Sequence, residues 1–131
     1  MAALAAVLGR QPGPDVLDAL ASATVVLAPD LFASEVANGL WKYVAAGEIS
    51  REDAADYLDA ALDLIERFIP VTALAQEALL EASLHKHPVY DLCYAIAARR
   101  EGCGVLTIDA RLQRLLVKMK ITTVMLQKPR S

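Results

Sequence analysis

The 131 residues are enough for one hydrophobic core and too few for two domains. The content is aliphatic and Ala-rich with only 5% aromatics, as in a helix-dominated soluble enzyme or interaction domain. No apolar run approaches the roughly 18 residues of a membrane span, and Met1–Leu8 lacks the basic start and cleavage-like site of a secretory leader. Cys93 and Cys103 form no CxxC, so buried thiols in a reducing cytoplasm are expected. The net charge of −3 is unevenly spread. From Arg99 onward eight Lys/Arg face only Glu101 and Asp109. That asymmetry suits a polyanionic partner, and equally a solvated helix face with a frayed tail.

Met1–Leu8 reads as a short helix, Gln11–Pro14 as a turn, and Pro14 as the first position of a helix over Asp15–Ala21. Thr24–Ala28 reads as a buried strand closed by Pro29. Asp30 is expected to cap a helix that runs to about Ala46 and stops at Gly47. On it Phe32, Val36, Leu40, Tyr43 and Val44 share one face, with Glu35, Asn38 and Lys42 opposite. Ser50 and Asp53 form a capping-box variant opening a helix to about Arg67, whose Ala54, Tyr57, Leu58, Ala61, Leu62, Ile65 stripe suits core packing first. Phe68–Val71 is a second strand, and Thr72 is expected to cap a helix to His85. Pro88 starts another helix, ended by Gly102. Gly104–Ile108 is the clearest strand, Asp109 caps a helix to about Lys118, and Ile121–Leu126 is the last strand. Strands separated by helices imply right-handed crossovers and a parallel α/β sheet covered on both faces. The ligand cleft of such a sheet lies beyond the carboxyl ends of its strands.

Three acids fall at such junctions: Glu35, Asp91 and Asp109. Two unit charges about 4 Å apart repel by roughly 4 kcal/mol at an effective dielectric near 20. A carboxylate cluster is therefore stable only if it shares protons or holds a hard cation. Each acid also has an ordinary explanation. Asp109 suits an N-cap, Asp91 the positive end of a helix, and Glu35 a polar helix face. Beside Asp91, however, Tyr94, Ala95 and Ala98 stand where a solvent face would carry Lys, Glu or Gln. Asn38 lies one turn after Glu35, and Thr107 points the same way as Asp109 along its strand. Both are candidates for positioning substrate or water. Arg111 and Arg114 are candidates for contacting a phosphate backbone. His85 and His87, two apart, make a poor metal pair, and no Gly-rich phosphate loop occurs.

Together Ala28–Lys42, Tyr90–Ala97 and Leu106–Leu112 resemble the PIN-domain family, in particular its VapC-type toxin ribonucleases, over nearly the whole chain. The resemblance implies a three-layer α/β/α sandwich with a short parallel sheet, formed by one domain over residues 1–131. It makes Glu35, Asp91 and Asp109 the second, third and fourth acids of a Mg²⁺ site that Mn²⁺ could also fill. Thr107 corresponds to the hydroxyl residue often found beside the fourth. The implied reaction is hydrolysis of an RNA phosphodiester by metal-activated water. The implied partners are RNA, a cognate antitoxin and a second copy in a homodimer, all in the cytoplasm. The family opens with a strand ending in Asp, whereas Ala3–Arg10 already resembles the helix that follows it. A chain lacking that strand and first carboxylate is expected to bind Mg²⁺ weakly and cut slowly. Two rivals stand beside the nuclease. One is a PIN-like interaction module without catalysis. The other is a receiver-like phosphoacceptor, which needs an acidic pair near its first strand and a Lys after its last, neither of them evident.

Overall fold

The computed structural model describes residues 25–107 and 109–124. The helices expected over Met1–Leu8 and Asp15–Ala21 lie outside this range, as do Thr24, Ile108 and the end of the last strand. Elements in chain order are β1 (Leu27–Pro29), α1 (Leu31–Ala45), α2 (Arg51–Asp63), β2 (Arg67–Ile69), α3 (Val71–His85), α4 (Val89–Glu101), β3 (Val105–Leu106), α5 (Ala110–Lys118) and β4 (Thr123–Val124). The fold is α/β with parallel strands, as the alternating pattern implied. β1 pairs with β2, Leu27 opposite Arg67, and β3 pairs with β4, Val105 opposite Thr123. No described strand joins the two pairs. Helix α4 packs against both β1 and β3 and so ties the two halves together.

The reason lies in its composition. Leu92, Cys93, Ala95, Ile96, Ala97 and Ala98 are all buried, so α4 is apolar on nearly every side. The alanines expected to flank Asp91 on an outer face are therefore interior. They share one core with Leu74, Ala78 and Ala82 of α3, Val105 of β3, and Leu112, Leu115 and Leu116 of α5. Leu74, Leu92, Ile96 and Leu116 are fully buried, each contributing about 1.5–3 kcal/mol. A second core gathers Phe32, Val36 and Leu40 of α1 with Ala61 of α2. Tyr57, Leu58, Leu62 and Ile65 pack against it, so the α2 stripe serves the interior.

Several helix ends follow the sequence. Ser50 Oγ accepts from Asp53 N–H at 3.0 Å, and Asp109 accepts from the first turn of α5. Gly102, at φ +68, ends α4 in the left-handed conformation that costs glycine nothing. Two expected caps are corrected. Asp30 does not cap its own helix; its Oδ1 accepts from Val71 N–H at 3.0 Å, in the first turn of α3. Thr72 lies inside α3, which starts at Val71 after Pro70. Pro70 has no side-chain acceptor, and Asp30, brought near by β1–β2 pairing, takes that place.

Candidate active site

Glu35 is half-buried at the margin of the apolar stripe of α1, next to fully buried Val36, and not on a solvent face. Its Oε1 accepts a hydrogen bond of 2.6 Å from the Tyr94 hydroxyl of α4. One turn before Tyr94 on the same helix, Asp91 Oδ2 meets His87 Nε2 at 2.7 Å. The His87 side chain is only 6% exposed. Two carboxylates from different helices are thus each fixed by a neutral or protonatable partner, and they sense each other. Burial raises the Glu35 carboxyl above its ordinary range, the Tyr94 hydrogen bond partly offsets this, and the charge of Asp91 adds to the rise. Like-charge repulsion was the expected cause; burial is the larger one. The Tyr94 hydroxyl is pushed far upward by burial, then by its bond to Glu35 and the nearby carboxylates, so it stays a proton donor. Burial likewise raises the Cys93 thiol, with Glu35 and Asp30 adding to it, which makes that cysteine inert packing.

Asp109 sits just past β3, as the strand-end argument requires, and is exposed. Its Oδ1 accepts from Arg111 N–H at 2.8 Å and Leu112 N–H at 3.2 Å. Its own N–H donates to Thr107 Oγ1 at 3.1 Å. Thr107 is buried, and its carbonyl accepts from Gln113 Nε2 at 2.9 Å, so its hydroxyl serves to hold Asp109. Asn38 is exposed one turn after Glu35.

Among the described residues no three His, Cys, Asp or Glu side chains gather closely enough to hold a metal ion. The chemistry of the acids nevertheless suits a hard cation. All are carboxylates, and one oxygen each of Glu35, Asp91 and Asp109 has no hydrogen bond among the described residues.

The basic residues divide into two groups. Arg99 bridges Glu77 at 2.9 Å and Glu81 at 3.2 Å, and Arg100 meets Glu77 at 3.3 Å. These arginines are neutralised across α3 and α4, so in them the basic C-terminal asymmetry serves internal ion pairs. Arg111 and Arg114 instead line an open cavity of about 250 Å³ with His85, Lys86, His87, Leu115 and Lys118. Sequence reasoning gave no role to His87 or Tyr94. The available signals were their spacings from Asp91, four residues before it and three after.

Short parallel strands tied by a buried helix define an α/β architecture with acids near its strand and helix ends. The PIN domain family matches residues 2–117, and the chain belongs to that family. It is 31% identical over 85 residues to Ribonuclease VapC3 of Pyrobaculum aerophilum, covering 63% of this chain. The match spans 65% of that relative's length, just under two thirds. No helix among the described residues is long and apolar enough to cross a membrane.

Proposed function

We propose that the chain is a metal-dependent endoribonuclease of the VapC toxin type. The observation that carries this reading is the Glu35–Asp91 pair, two carboxylates brought together from separate helices with Glu35 raised by burial, in a chain of the PIN family. Mg²⁺ or Mn²⁺ would be held by Glu35, Asp91 and Asp109. When bound, the cation supplies an activated water and charge neutralisation for attack on a phosphodiester. Water adds to phosphorus, one P–O ester bond breaks, and the products are a phosphomonoester and a hydroxyl.

The chain's own groups prepare that geometry. Tyr94 fixes Glu35 so that Oε2 is left for ligation, and His87 does the same for Asp91 and its Oδ1. Thr107 holds the backbone of Asp109. Asn38, exposed beside Glu35, is placed to orient substrate or water. Arg111 and Arg114 contact the RNA backbone without reading its sequence. A cognate antitoxin and a homodimer complete the reading, in the cytoplasm. Exposed Leu80 and Leu84, one turn apart on α3, offer apolar surface to either partner.

The test is cleavage of single-stranded RNA by the whole chain after EDTA treatment and again after adding Mg²⁺ or Mn²⁺. Cleavage that returns with the metal supports the reading. Cleavage that persists in EDTA, or none with either ion, contradicts it.

A further inference from the structure

The cavity beside α5 holds a charge arrangement that nothing in the fold requires. Lys86, Arg111, Arg114 and Lys118 converge on it, and none of them makes an ion pair among the described residues. By contrast, Arg67 bridges Glu101 at 2.9 Å, and Arg99 and Arg100 are held by Glu77 and Glu81. Among the described residues no carboxylate lines the cavity itself. Lys86 ends α3 at φ 52, a left-handed conformation that Lys120 repeats at φ 59 outside the cavity.

Two of its lining residues also hydrogen-bond acids. His87 lines it and binds Asp91 at 2.7 Å. Arg111 lines it and donates its backbone N–H to Asp109 at 2.8 Å. We infer that this cavity seats one phosphate of the RNA strand next to the scissile bond, with Lys86, Arg111, Arg114 and Lys118 as its donors. The inference rests on the nuclease reading for the identity of the strand. The charge, the volume and the unpaired donors are independent of it. The seat fixes strand register relative to the carboxylates, since phosphate contacts position a nucleic acid without specifying bases.

The test uses the whole chain in EDTA and a fluorescein-labelled single-stranded RNA, with or without a terminal phosphate, read by anisotropy over a salt series. The double substitution Arg114→Gln with Lys118→Gln is expected to weaken binding about tenfold and to lower the log–log salt slope by about 0.7 for the one phosphate lost. Both positions are exposed, so the fold is not at stake, and Arg114→Lys with Lys118→Arg should restore binding. Arg99→Gln, outside the cavity, should change affinity less than twofold. Equal loss for both RNAs identifies an internal diester in the seat; loss confined to the end-phosphorylated RNA identifies a monoester terminus. Either outcome supports a phosphate seat. An unchanged slope overturns it, as does a double variant that keeps RNA but loses an acidic protein partner. Restoring Mg²⁺ separates the two claims. RNA held through the cavity but never cut removes the nuclease reading and leaves the seat. Normal cutting by the double variant, at unchanged KM and salt slope, removes the seat and leaves the nuclease.

Discussion

The proposed metal ligands stand in two differently built settings. In one, Glu35 and Asp91 stand on separate helices, partly buried, each committed through one oxygen to a side chain of α4 or the turn before it. In the other, Asp109 is exposed, and its hydrogen bonds all serve the start of its own helix and the turn before it. The first arrangement stabilises nothing by itself, since it desolvates a charge and sets it near another. The second would exist in any helix preceded by a strand. Burial at a cost therefore says more about function here than position at a strand end.

Substitutions that act on one setting only will sharpen this contrast. The largest effect is expected from Asp91→Asn, which keeps the shape and the His87 contact but removes the charge. Cleavage should fall on the order of a thousandfold, equivalent to losing several kcal/mol of metal-borne stabilisation. Single-turnover cleavage rates would check this, and a loss under tenfold would return Asp91 to the role of a helix-dipole residue. Tyr94→Phe, which leaves Glu35 without its clamp, should cost about 10–100-fold in cleavage or metal affinity, as second partners of metal ligands do. His87→Ala should act through Asp91 to a similar degree. If both variants cut like wild type, the Glu35–Asp91 pair is only packing.

Asp109 can be divided by two replacements. Asp109→Asn keeps the cap and removes the charge, whereas Asp109→Ala removes both. Both should reduce cleavage, but only Asp109→Ala should lower stability, by about 1 kcal/mol in urea unfolding. Equal activity in the Asn variant and wild type would leave Asp109 a cap alone.

The smallest effect concerns Glu35 itself. Its carboxyl is raised in the folded state, first by burial, so the stability it contributes is fully present below the ordinary carboxylate range. That contribution is lost as pH rises through the raised value. Glu35→Gln, measured in EDTA, should therefore gain on wild type in urea midpoint as pH rises from the acid side to neutrality. A gap between the two that is constant with pH would show that Glu35 is not desolvated.

Much of this architecture could be read along the chain, because it depends on near neighbours. Ser50 with Asp53, Gly102 after Glu101 and Asp109 before Ala110 all act within three residues. What could not be read depends on distant partners. Asp30 reaches Val71, 41 residues on, and only β1–β2 pairing brings them together. Tyr94 reaches Glu35 across 59 residues, and Arg99 finds Glu77 22 residues back. The apolar period of α1 placed Glu35 opposite its buried stripe, because periodicity registers only one packing surface. Tyr94 of α4 meets Glu35 from a second side. The alanines beside Asp91, where solvent would have selected charge, announced only that α4 itself is interior.

The most direct test of the account is calorimetric titration of Mn²⁺ into the EDTA-stripped whole chain, its Glu35→Gln variant and its Asp91→Asn variant. The account predicts one site in the wild-type chain that is weakened at least tenfold by either substitution alone, as befits two ligands of one ion. Unaltered Mn²⁺ binding in both variants would contradict it.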